Sequence, residues 1–108
     1  MTFSGTWAIV SSPDFYDDYL SEEVDPYVKL RQSGKNVQGE YHVGYQQGTI
    51  DGRLDADQRV TFSFEGSDEM DSVSGAGTIV LQGDRMVFTL MYHYGDDYTF
   101  ECERRASN

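Results

Sequence analysis

From residue 27 onward, apolar residues recur at every second position, in short runs separated by clusters of Gly, Asp, Asn and Gln. This alternation is typical of β-strands with one buried face and one wet face. It predicts about eight strands. Their inward-facing residues are Phe3, Trp7, Ile9, Val28, Leu30, Val37, Tyr41, Val43, Ile50, Leu54, Val60, Phe62, Phe64, Val73, Ile79, Leu81, Met86, Phe88, Leu90, Tyr92, Tyr98, Phe100 and Cys102.

Short turns between successive strands favour an up-and-down antiparallel meander, and closing the meander removes its exposed edges. A two-residue turn at Gly34-Lys35 keeps the flanking strands in phase, with Leu30 opposite Gly39. A second at Gly83-Asp84 does the same, whereas the hairpin around Gly95 requires an odd-length loop or a bulge. We therefore predict an all-β fold, a small closed barrel formed by a single domain over residues 1–108.

One segment departs from the alternation and predicts a short helix over 13–20, after the first strand. Ser12 can cap it, Pro13 suits its first position, and aspartates at 14, 17 and 18 lie near the positive end of its dipole. Its apolar residues, Phe15, Tyr16, Tyr19 and Leu20, need a surface to pack on, and an open barrel end offers one.

The chain carries nineteen acidic and eight basic residues, for a net charge of −11. Such a charge repels phosphate backbones and anionic lipid, so we expect neither nucleic acid nor membranes as partners. Six acids and no base lie between Pro13 and Pro26. This stretch is either a solvated face or, through Asp17, Asp18, Glu22 and Glu23, a docking surface for a basic partner.

Candidate catalytic and metal-binding patterns are sparse. His42 and His93 are predicted to point outward from non-adjacent strands, and no nucleophile elbow, phosphate-binding loop or Cys/His metal spacing is present. Cys102 is the sole cysteine, so no internal disulfide can form, and no N-terminal apolar run resembles a signal peptide. We predict a cytoplasmic, non-enzymatic protein with no metal and no cofactor.

The first twenty residues carry a family resemblance. Gly5-Thr6-Trp7, followed by the run from Ser11 to Leu20, resembles the opening of intracellular fatty-acid-binding proteins. Together with an arginine on the final strand, Arg104, it is similar to the pattern of lipocalins and the wider calycin superfamily. The resemblance implies that Arg104 packs across Trp7 at the closed end of a barrel. The chain departs from the fatty-acid binders in lacking room for a second lid helix and in lacking their Arg-x-Tyr on the last strand.

The resemblance further implies that the barrel binds a small apolar ligand. If a cavity exists, buried tyrosine hydroxyls at Tyr41, Tyr92 and Tyr98 would be its polar contacts. An eight-stranded barrel can equally be filled by its own side chains. The alternative function is an acidic interaction or inhibitor module that docks a basic partner through 13–26.

The outer surface carries an apolar anomaly. In the predicted register Val80 and Val87 are cross-strand neighbours on the wet face, as are Ala76 and Met91. Either the 13–20 helix covers this face, or the Val80/Val87/Met91 face forms a homodimer.

Overall fold

Eight strands and one helical turn follow one another along residues 2–105, which are the residues that the computed structural model describes. The elements are β1 (Gly5–Ser11), α1 (Asp17–Leu20), β2 (Tyr27–Ser33), β3 (Asn36–Val43), β4 (Gln46–Ala56), β5 (Arg59–Asp68), β6 (Asp71–Gln82), β7 (Arg85–Tyr92) and β8 (Asp97–Arg104). Each strand pairs antiparallel with the next, and β8 returns to pair with β1. The predicted closed up-and-down barrel is confirmed.

The register follows the turn chemistry. Leu30 lies opposite Gly39 across the Gly34-Lys35 turn, and the Gly83-Asp84 turn aligns its two strands as predicted. In the last hairpin the Tyr92 N–H donates to the Asp96 carbonyl at 3.2 Å, which leaves three residues, 93–95, as the turn. The odd loop length brings Phe100 opposite Phe88, on the inward face of the sheet.

The inward residues meet in one core. Most of the predicted set is buried, and Leu54, Val73, Tyr92 and Tyr98 are partly buried against it. Close backbone approach explains a glycine such as Gly77, where a Cβ atom would overlap the Thr89 carbonyl oxygen and the Phe62 ring. The apolar residues that alternate along the strands therefore form one packed barrel interior.

The helix is shorter than predicted. It begins at Asp17 and not at residue 13, and its N-cap is Tyr16, in extended conformation and without a side-chain cap. The Ser12 hydroxyl accepts a hydrogen bond from the Asp14 N–H at 3.1 Å and donates one to the Thr99 carbonyl at 2.5 Å. The Asp14 carboxylate in turn accepts the Thr99 N–H at 2.8 Å. These contacts hold the segment before the helix against β8, because the groups that would cap a helix at residue 13 bind another strand.

Candidate functional site

The closed end of the barrel is built around Trp7. Trp7 pairs with Arg104 across the β1–β8 seam, and the guanidinium carbon lies 4.2 Å from the centroid of the indole. Arg104 also donates from Nη1 to the Ser4 carbonyl at 2.8 Å and from Nη2 to the Thr2 carbonyl at 2.7 Å. The indole N–H donates to the Phe3 carbonyl at 3.0 Å. The hydrogen bonds of Trp7 and Arg104 thus hold residues 2–4 across the closed end of the barrel.

The barrel interior is filled by aromatic side chains. Phe88 lies at the centre, with ring centroids 5.6 Å from Tyr41, 5.6 Å from Phe62 and 6.0 Å from Phe100. Five depressions of the molecule are lined mainly by outer-face and turn residues, together with inward residues such as Leu81, Phe62 and Phe64, and none of these five is lined by Tyr41, Tyr92 or Tyr98. The described aromatic side chains therefore pack against one another at the centre of the barrel.

The three tyrosines proposed as ligand contacts lie toward the other end. Tyr92 is in edge contact with Tyr98, at a centroid distance of 5.4 Å, and Phe64 connects Tyr92 to Tyr41. The Tyr41 hydroxyl donates to Oε1 of Gln46 at 2.7 Å inside the barrel. Gln46 was not among the predicted residues, although β4 alternation places it in phase with the buried Ile50.

The Tyr92 hydroxyl is buried and has no hydrogen-bond partner among the residues described. Burial raises the pKa of Tyr92, and the Gln46 side chain partly offsets the rise. The Gln46 side chain, which accepts the Tyr41 hydroxyl, therefore also lies near the Tyr92 hydroxyl. Burial likewise raises the pKa of Tyr41 and, with the Asp96 carboxylate, that of Tyr98. A buried hydroxyl without a partner is unusual and requires an explanation.

Segment 12–25 crosses this open end. The Phe15 ring lies 4.8 Å from the ring of Tyr98 and 5.9 Å from that of Phe100, and Leu20 is buried. The Gly44 N–H donates to the Leu20 carbonyl at 2.9 Å, which fixes the segment to the β3–β4 turn. Phe15 therefore covers the mouth of the barrel with an aromatic ring.

Acidic residues cluster at this same end. We define the mouth surface as the connections and strand ends at 12–26, 44–45, 68–71 and 93–97. It contains six acids in 12–26, three in 68–71 and two in 93–97, and no lysine or arginine. The predicted docking residues are all exposed here, and two of them hold the segment in place: Glu22 accepts the Tyr45 hydroxyl at 3.2 Å, and Glu23 contacts His42 at 2.9 Å.

Within residues 2–105, the ion pairs of arginine lie elsewhere, at Arg59 with Asp55 and at Arg85 with Glu103. The large apolar side chains that are exposed lie at or beside the mouth: Val10, Tyr16, Val24, Tyr45, Met70 and Tyr94. Met70 and Tyr94 were missed from sequence. The signal for them is that each occupies a tight turn where a glycine or a polar residue is usual.

The β6–β7 outer face carries the apolar pairs that the register predicted. Val80 lies opposite Val87 and Ala76 opposite Met91, and Val80, Val87 and Met91 are half-buried. The described contacts of Phe15 and Leu20 are with β8 and the β3–β4 turn. These contacts do not place the helix over the β6–β7 outer face. The homodimer through this face stays a prediction.

Two features of the described residues bear on metal and thiol chemistry. Residues 2–105 contain no group of three His, Cys, Asp or Glu side chains arranged to hold a metal ion. Burial raises the pKa of Cys102, which makes its thiol a poor nucleophile. Over the same residues, no helix has the length and apolar character needed to cross a bilayer.

The architecture, an eight-stranded antiparallel closed meander with one short helix after β1, is consistent with a calycin-like fold. No protein-family model matches this chain, and a comparison with curated proteins finds no relative of it.

Proposed function

We propose that this protein is a non-enzymatic interaction module that docks a basic partner through the mouth surface. The observation that carries the proposal is the segregation of charge: eleven of the nineteen acids lie on the mouth surface, and all eight lysines and arginines lie outside it. A net charge of −11 spread evenly would keep the protein soluble without marking any one face.

Clustered carboxylates repel one another, and a cationic partner relieves that repulsion. Nearly all the mouth acids are exposed, and among residues 2–105 none of them forms an ion pair with a lysine or an arginine. A surface of one sign also focuses its field, which accelerates encounter with an oppositely charged protein by roughly 10- to 1,000-fold. The exposed apolar side chains in the turns at 68–71 and 93–97 add apolar contact area, which a binding surface has and a merely solvated surface lacks.

The test is salt-dependent binding of a lysine oligomer by the intact protein and by two charge-matched variants. The first carries Asp17→Asn, Asp18→Asn, Asp96→Asn and Asp97→Asn. At about 0.2–1 kcal/mol for each exposed pair, the loss of four carboxylates should weaken binding by roughly 4-fold to 800-fold and make its salt dependence shallower.

The control carries four neutralised acids outside the mouth, Glu40→Gln, Asp57→Asn, Glu65→Gln and Asp84→Asn, so that the net charge of the two variants is equal. We expect it to retain most of the affinity. Equal losses in the two variants would show that net charge alone attracts the oligomer, and would reject the mouth surface as a docking site.

A second function is favoured by one specific observation, the unpartnered Tyr92 hydroxyl. We propose as the alternative that a small apolar molecule with one polar group enters the mouth, displaces Phe15 and bonds to Tyr92, with Tyr41 and Tyr98 beside it. The calycin resemblance supports this use of the barrel. Because the described interior is filled, binding requires Phe15 to leave the rings of Tyr98 and Phe100.

Native mass spectrometry of freshly purified protein tests the alternative, together with titration of a fluorescent fatty-acid analogue. We expect binding that Tyr92→Phe weakens and that Phe15→Ala strengthens, because removing the ring opens the mouth. A protein that arrives empty and leaves the analogue unbound, with and without Phe15, would exclude a ligand in the barrel.

A further inference from the structure

Two turns of the mouth surface adopt a backbone conformation that disfavours their residues. Among residues 2–105, the non-glycine residues with positive φ are Glu69 at 57° and Tyr94 at 60°. Elsewhere the barrel uses glycine for such turns, at Gly34, Gly44 and Gly83, with φ between 59° and 68°. A left-handed conformation is unfavourable for a residue with a Cβ atom, and most of all for a bulky one.

These same two turns present the most exposed large apolar side chains of the described residues. Met70, which follows Glu69 in the β5–β6 turn, is 98% exposed, and Tyr94 is 98% exposed. A side chain that stands in water buries nothing and adds nothing to folding through the hydrophobic effect. The hairpins themselves require positive φ in these turns, but they do not require large exposed apolar side chains, so folding leaves the choice of Met70 and Tyr94 unexplained.

The two side chains belong to neighbouring hairpins. The His93 N–H donates to the Ser74 carbonyl at 2.8 Å, so the turn carrying Tyr94 lies beside the start of β6. Met70 precedes Ser74 by four residues, which is roughly 13 Å of extended chain at about 3.3 Å per residue. One bound polypeptide segment can therefore reach from the turn of Met70 to the turn of Tyr94.

Carboxylates flank both side chains. Asp68 and Asp71 close the turn of Met70, pairing with each other across β5 and β6, and Asp96 and Asp97 follow Tyr94. We infer that Met70 and Tyr94 are the apolar anchors of the mouth surface, and that its partner is a basic polypeptide presenting large apolar side chains between its cations. This inference rests on the proposed function and narrows the partner, since a purely ionic polycation would leave both anchors unused.

Two synthetic peptides of equal length and charge test the inference, one alternating arginine with serine and the other alternating arginine with leucine. Affinities are measured by titration at several salt concentrations. The intact protein should prefer the leucine peptide on the order of tenfold. In the double variant Met70→Ser, Tyr94→Asn this preference should vanish, while the serine peptide keeps its affinity and its salt dependence. Asparagine tolerates positive φ, so the turn keeps its conformation.

Tyr16→Asn is the matched control, because Tyr16 is 89% exposed at the same end with an ordinary φ of −71°. It should leave the preference intact. Equal binding of both peptides by the intact protein, or an equal loss of preference in Tyr16→Asn and the double variant, overturns the assignment of the anchors. If both peptides fail to bind at low salt, the proposed function itself is overturned, so the two failures are distinct. Thermal melts of the variants confirm that each is folded.

Discussion

Removing the Arg104 guanidinium tests how the barrel is closed. Arg104→Ala deletes the two hydrogen bonds to the Ser4 and Thr2 carbonyls and the contact with the indole of Trp7. A hydrogen bond from a charged donor contributes about 1.5–3 kcal/mol when buried, and less at a half-buried side chain such as this one. The cation–π contact adds about 0.5–2 kcal/mol. We expect the free energy of unfolding to fall by about 2–4 kcal/mol.

Urea unfolding followed by tryptophan fluorescence measures this loss directly, because Trp7 is the only tryptophan and is fully buried. Arg105→Ala is the control: it removes the same charge one residue later, from an exposed side chain, and should change stability by less than about 0.5 kcal/mol. Arg104→Lys should lose an intermediate amount, since a single ammonium lacks the planar fork that reaches both carbonyls. An Arg104→Ala protein as stable as Arg105→Ala would refute the reasoning.

Three further predictions concern the core and the outer face. Tyr41→Phe should destabilise the protein by about 1–2 kcal/mol, because Gln46 loses its buried hydrogen-bond donor. Tyr92→Phe should be neutral or stabilising in the same urea assay, because its hydroxyl has no partner to lose. A larger loss of stability in Tyr92→Phe than in Tyr41→Phe would contradict the assigned contacts. Burial raises the pKa of both tyrosines above the ordinary 10.0, so the unfolded chain releases these protons first. The free energy of unfolding that these two tyrosines contribute is therefore fully present below pH 10 and decreases as the pH rises above 10. Full tyrosinate absorbance in a protein that still shows the Trp7 fluorescence of the folded state would contradict this. Sedimentation should detect a dimer that Val80→Lys and Val87→Lys dissociate, and a monomer at every concentration would remove the homodimer prediction.

Alternation along the chain was sufficient for the strands and most of the core. Each strand's inward face is set by its own residues, and a two-residue turn such as Gly34-Lys35 transmits that phase to the next strand. The same logic failed at the helix start. Ser12 and Asp14 have the local signature of a cap, but their partner is Thr99, more than eighty residues away, so a non-local contact overrode the local preference.

The candidate site depended on the closure of the barrel more than the strands and the core did. The acids of 13–26 were visible as a run, yet those of 68–71 and 93–97 join them only because an up-and-down barrel brings every second connection to one end. The unpartnered Tyr92 hydroxyl and the positive φ values at Glu69 and Tyr94 have no counterpart in the pattern of apolar and polar residues.

The sequence by itself determined the strands, their inward faces, the short turns and the charge, because each depends on residues adjacent along the chain. Tertiary structure alone decided that aromatic rings pack against one another in the interior, that segment 12–25 lies over the mouth, and which side chains stand on one surface. Those outcomes depend on volumes and hydrogen bonds between residues far apart in sequence, and they come into being only when β8 meets β1.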